Sequence, residues 1–279
     1  MSQRIVEPLV LNAGLARGAR PPLALVATAL RTRLAAVIGR HADSASGLLD
    51  YRGLGASAEF AEFVEVTRDL GGGGPEELAT PADQIAFWAN LYNTLTLHAV
   101  IALDIRGGVG EVHEFFKQVR YDVGGETFAL VDIEHGVLRR NRTSRNMPAP
   151  AWRPGDPRER WMVGRFDPRV HFALMCGTRS CPPIRAYEAE HLESQLDLAA
   201  RAFVNADVEV DPAAGCVRLS RIFLWYEEDF GDVLDWILGH LDGGPGREWL
   251  AAHRREARVE HRAYNWELND LGARRAGAA

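Results

Sequence analysis

The chain has 279 residues, 47% of them hydrophobic and 25% charged, with a net charge of −6. Those proportions belong to a folded globular protein and exclude extensive disorder. The acidic balance argues against a nucleic-acid partner, which calls for a basic surface, and Lys117, the only lysine, would have to serve any Schiff-base chemistry.

Met1 to Arg20 lack the basic start, apolar run and cleavage site of a secretory signal. Arg31 and Arg33 interrupt the apolar stretch from Pro21 to Ile38, which bars a bilayer span. The expectation is a soluble, cytoplasmic protein without a membrane partner. Three cysteines, Cys176, Cys181 and Cys216, are too few for a disulfide scaffold and read as thiols.

Residues 22–40 and 57–70 read as helices. The run Gly71 to Pro75 breaks the pattern and lacks the Gly-Lys-Ser/Thr of a phosphate loop. Thr80 then offers an N-cap, Pro81 fits the first helical position and Asp83 suits the first turn. Ile85, Trp88, Ala89, Tyr92 and Leu95 form one apolar stripe, and Phe87, Leu91 and Leu97 cover the other side, so this helix should be buried nearly all round. A short helix is expected over 112–119. A hairpin follows, Tyr121–Val123 and Thr127–Val131 around Gly124-Gly125. A helical turn is expected at 132–139, and a surface excursion at 140–160. Val170 to Leu174 reads as a short strand feeding the turn-rich segment 176–183. Residues 187–204 are amphipathic, 208–210 and 216–219 form a second hairpin, and Asp229 is placed to cap a helix over 230–241.

The expected organisation is a single α+β domain, with helices packed on a small, mostly antiparallel sheet with β-hairpins. An N-terminal helical segment, 1–78, would pack on a main domain, 79–270, followed by a disordered tail, 271–279.

Cys176, Cys181 and His171 are the first candidates for chemistry. Imidazole can take a thiol proton, and the thiolate then attacks. Cys181 precedes Pro182-Pro183 and an expected helix whose dipole would acidify it. Against this stands the ordinary fate of a free cysteine as a small buried hydrophobe. Glu134 and His135, with Asp132 nearby, can orient a catalytic group or simply cap a helix. His-Glu-x-x-His and Cys-x-x-Cys are both absent, so no metal or other cofactor is expected. Asn90 and Asn93 inside an apolar helix need partners; they either pin backbone or point amides at an oxyanion. Arg139 and Arg179 can recognise an anion or merely be solvated, and Trp225, Tyr226 and Trp266 read as core before ligand cage.

Five segments together resemble a known family. They are Ala86–Asn93, Asp132–Arg139, His171–Ile184, Leu219–Tyr226 leading to Asp229-Phe230, and Tyr264–Asn269. Their order and spacing look like the domain-of-unknown-function family numbered 547, over roughly residues 79–269. The resemblance implies a fold more than an activity. Its motif residues correspond to Asn90, Tyr92, Asn93, Asp132, Glu134, His135, Arg139, His171, Cys176, Ser180, Cys181 and Pro182. Met175 stands where family members often carry an Asn.

Polar motifs in separate apolar segments should converge on one cleft. The reading is thiol-dependent hydrolysis, transfer or cyclisation at an acyl or amide bond of a small molecule or peptide. Cys181 or Cys176 would be nucleophile, His171 or His135 base and Glu134 the orienting group, with Asn90 or Asn93 at the oxyanion. The alternatives are a non-catalytic module that binds a protein or small ligand, and a redox-active dithiol protein using Cys176 and Cys181.

Overall fold

The computed structural model describes residues 3–14 and 20–272. Helix α1 (Leu23–His41) buries Leu23, Val26, Leu30, Leu34 and Val37, the spacing of one helical face. After α2 (Tyr51–Gly55) comes α3 (Ala58–Thr67), whose N-cap Ser57 accepts the Phe60 N–H. Helix α4 (Pro81–Ala102) begins at a capping box: the Thr80 hydroxyl accepts the Asp83 N–H, and the Asp83 carboxylate accepts the Thr80 N–H. Every residue from Ile85 to Val100 is buried, so α4 is the axis around which the larger cluster packs, α1 on one side.

Two small three-stranded sheets accompany the helices. In the first, β1 (Leu9–Val10) runs parallel to β2 (Val119–Val123), which pairs antiparallel with β3 (Glu126–Ala129) and sets Tyr121 opposite Phe128. The turn is Gly124-Gly125 with φ of 57° and 83°, the backbone a tight hairpin requires. In the second, β4 (Glu209–Asp211) is antiparallel to β5 (Cys216–Leu219), and β6 (Arg258–His261) joins β5 in parallel. Both expected hairpins are present, each extended by a parallel strand drawn from a distant part of the chain.

Helix α5 (Phe115–Gln118) is one turn, shorter than expected, because Val112 is extended and Glu114 is left-handed, with φ of 51°. Helix α6 (Leu192–Asp207) starts five residues later than the amphipathic pattern, since Asn90 takes both backbone groups of Tyr187. Then follow α7 (Arg221–Trp225), α8 (Glu227–Phe230), α9 (Val233–His240) and α10 (Pro245–His253). These pack with α6 and the second sheet into a smaller cluster rich in aromatic rings around Phe172.

Three expectations are corrected. Val170–Leu174 is no strand: Asp167 caps a 3-10 turn over Pro168–Phe172 by accepting the Arg169 N–H. A short apolar run cannot by itself distinguish a strand from a buried helical turn. Asp229 caps nothing; Asp232 caps α9 by accepting the Leu234 and Asp235 N–H groups. The segment 140–160 is only partly an excursion. Trp152 is buried, donating its indole N–H to Asp132 at 2.7 Å. Its ring lies so close over Gly136 that any side chain there would collide.

No helix among the described residues is long and apolar enough to cross a membrane. Of the expected tail, Leu271 is tied by its N–H to the Leu49 carbonyl; residues 273–279 lie outside the described residues.

Candidate functional site

The two asparagines of α4 hold the site's loops. Asn93 accepts the Met175 N–H at 2.8 Å and donates to the carbonyls of Ala173 and Arg185 at 3.0 and 3.2 Å. Asn90 forms the matching pair with Tyr187, 2.8 Å each way. Their amides are wholly engaged with backbone, as buried amides must be. They fix the segment carrying Cys176 and Cys181 from behind. From the other side, Asn269 and Arg179 N–H groups reach Gly177 and Glu267 carbonyls, joining that segment to the chain end.

Cys181 donates its thiol to Cys176 Sγ at 2.6 Å and accepts the Cys176 N–H at 2.8 Å. Cys176 Sγ also lies 3.3 Å from both the Thr178 and Tyr264 hydroxyls. Burial acts to raise the Cys176 thiol, but the hydrogen bonds from Cys181, Thr178 and Tyr264 outweigh it and hold its pKa below the ordinary value. Cys181 goes the other way: burial, its donation to Cys176 and the charge on Cys176 push it well up. This reverses the order expected from sequence. No helix begins at Cys181; the next helical turn is Ala189–His191, so no dipole acidifies it.

Glu134 and His135 lie on a π-helical turn, Asp132–Leu138, in which the Arg139 N–H reaches the Glu134 carbonyl five residues back. Asp132 turns to the start of this helical run, where its carboxylate accepts the Ala129 N–H just before the first helical residue, as well as the Trp152 indole N–H. Glu134 accepts the Tyr226 hydroxyl at 2.6 Å and that of Tyr92 at 3.5 Å. Burial, and next the Glu134 charge, push both hydroxyls far up, so they stay neutral.

Arg139, expected at the surface, is completely buried. It donates to Asp229 Oδ2 at 2.6 Å, to His135 Nδ1 at 2.8 Å and to the carbonyls of Arg142 and Thr143. Since a guanidinium only donates, His135 Nδ1 accepts and its proton sits on Nε2. Burial lowers the His135 pKa, and the Arg139 charge helps against the opposing pull of Glu134. His171 Nε2 lies 2.8 Å from the same Asp229 oxygen, and its ring stacks on Tyr226 at 4.0 Å. Its Nδ1 is buried without a hydrogen-bond partner. Burial acts to raise Asp229, yet its bonds to His171 and Arg139 keep it below the usual carboxylate range.

Glu134, His135, His171, Cys176 and Cys181 all line one cavity of about 490 Å³. Asn90 and Asn93 do not line it; they stand behind its wall. Met147, Pro148, Trp225, Tyr226, Tyr264 and Trp266 also line it, so the tryptophans and Tyr226 read as core also face the space. Sequence reading missed Asp229 and Tyr264 as site residues; the available signal was their place in the last two family-like motifs. Among the described residues no three His, Cys, Asp or Glu side chains form a metal cage.

Residues 75–204 match the model of a family described as Protein of unknown function, DUF547. The chain thus carries a domain of the family that its motifs resemble. The match includes both cysteines, His135 and His171 but stops short of Tyr226, Asp229 and Tyr264. No curated protein and no solved structure matches the chain.

Proposed function

We propose that the cavity performs thiol-dependent chemistry on an acyl or amide bond, with Cys176 as nucleophile. One observation carries this reading. An acidified thiol opens on the same cavity as an imidazole whose far nitrogen is held by a buried carboxylate. Asp229 orients His171 and selects the tautomer with a bare Nδ1, the nitrogen that takes and returns protons. Asp229 thus fills the role assigned from sequence to Glu134.

In the first step the Cys176 proton passes to His171 and sulfur attacks the carbonyl carbon. The His135 Nε2–H is a neutral donor facing the cavity and suits the developing oxyanion. The amine or alcohol then leaves with the proton from His171, giving a thioester. Water or a second nucleophile, deprotonated by His171, releases the acyl group and restores the thiol.

An activated aryl ester tests this. The acyl group is expected on the peptide containing Cys176 by mass spectrometry, and is lost in Cys176→Ser. Alkylation of Cys176 should show a midpoint below the free-thiol value of about 8.5, while Cys181 stays slow. A single midpoint at or above that value for every cysteine, with no acylation, would sink the reading.

The separation of 2.6 Å between the sulfurs favours a second reading, a dithiol–disulfide couple. A two-electron oxidant such as hydrogen peroxide would convert the Cys176 thiolate to a sulfenic acid, which Cys181 attacks with loss of water. Acylation that persists in Cys181→Ser separates the two readings in favour of the first.

A further inference from the structure

We infer that the cavity seats an organic cation, such as an alkylammonium group, against the Glu134 carboxylate and the rings of Trp225, Tyr264 and Trp266. The inference deepens the acyl-transfer reading by naming its substrate class, although the cation subsite can be tested without any turnover.

The charges of the cavity do not balance. Lys117 and Glu114 at its edge are paired with each other. Beneath the floor, Arg139 is matched by Asp229. Burial keeps His135 toward its neutral form. Glu134 is left, half-buried, and pairs with no arginine or lysine among the described residues. Its two oxygens receive only phenolic hydroxyls, which stay neutral and supply no counter-charge. A carboxylate withdrawn from water beside apolar walls is costly without a counter-charge. A ligand cation supplies one, whereas a ligand anion meets both Glu134 and the Cys176 sulfur.

The aromatic part of the same lining fits the same group. Trp225, Tyr264 and Trp266 form a three-ring cluster with centroids 4.7–5.7 Å apart. Trp266 lines the cavity while 48% exposed, so part of its ring is open to a ligand. Aromatic faces attract cations, and most strongly tryptophan, where water is scarce.

The test uses tryptophan fluorescence of the whole chain with two probes of equal shape, choline and 3,3-dimethylbutanol. Choline is expected to bind at least about tenfold more tightly than the alcohol, the range of one desolvated cation–π contact with its carboxylate, and Glu134→Gln should abolish the difference. Equal affinities in the parent protein overturn the inference, and that comparison stands even if Glu134→Gln does not fold. A second measurement compares methanethiosulfonate reagents carrying a trimethylammonium or a sulfonate. The cationic reagent should modify Cys176 faster, and the ratio should fall toward one in Glu134→Gln. A ratio unchanged in a folded Glu134→Gln protein assigns the preference to overall charge and overturns the subsite. Choline selectivity with an unreactive Cys176 supports the subsite and defeats only the acyl-transfer reading. An acylated Cys176 without choline selectivity does the reverse.

Discussion

The two hydrophobic clusters satisfy their buried polar groups by different means. In the larger one, α4 carries Asn90, Asn93, Thr94 and Thr96, and each bonds backbone. In the smaller one, His171 and Asp229 have side-chain partners, and Asp229 reaches across to Arg139 on the other cluster's π-helical turn. Amide-to-backbone bonds shape one cluster from within. The ion pair joins the two clusters, and the cavity lies where they meet. The first arrangement fixes position; the second fixes position and also leaves the His171 Nδ1 without a hydrogen-bond partner.

The sharpest way to break this contrast is Arg139→Met. It leaves Asp229 buried without its guanidinium, at a cost of about 3–5 kcal/mol. The loss should show in urea unfolding, and Arg139→Met combined with Asp229→Leu should recover much of it. Equal stability of Arg139→Met and the parent would mean the clusters do not depend on the bridge.

A smaller effect is expected inside the larger cluster. Asn93→Leu leaves the Met175 N–H and two carbonyls without partners, at a cost of about 3 kcal/mol. It should also loosen the cysteine segment, so Cys181 becomes more reactive toward iodoacetamide. A lower melting temperature with unchanged thiol reactivity would show that Asn93 does not position the thiols.

The smallest effect separates the clusters by pH. His98 on α4 is buried against the Tyr121 hydroxyl at 2.9 Å, and burial lowers its pKa to about 4. Between that value and 6.5 the unfolded chain binds the additional proton, so stability rises with pH and is lost as pH falls below 6.5. About 2 kcal/mol should disappear between pH 6.5 and 5. His98→Gln should flatten that slope; an identical slope in the variant would place its origin elsewhere.

Much of the larger cluster was legible because its signals are local. The N-cap and all-round hydrophobicity of α4 and the Gly-Gly turn of the first hairpin act within a few residues. The convergence of Glu134, His135, His171 and the cysteines was legible only as a demand that polar groups find partners. Asp229 was misread because its neighbours resemble a helix start. Its real partner, Arg139, lies 90 residues away, and nothing near Asp229 encodes that pairing. The order of thiol acidity was misread for the same reason: Tyr264, which helps acidify Cys176, lies 88 residues further along.

Those separations also bear on how the cavity comes to be assembled. The bonds joining Glu134 to Tyr226, Arg139 to Asp229 and Cys176 to Tyr264 span 92, 90 and 88 residues. Such closures form slowly, because a long loop must be ordered before any contact rewards it. During synthesis, α4 and the first hairpin are complete long before residue 264 emerges. The thiols therefore spend that interval without the hydroxyl that helps ionise Cys176. The hydrogen bond that helps acidify Cys176 thus arrives with one of the last long-range contacts, so the acidity of this thiol reports that the fold has closed.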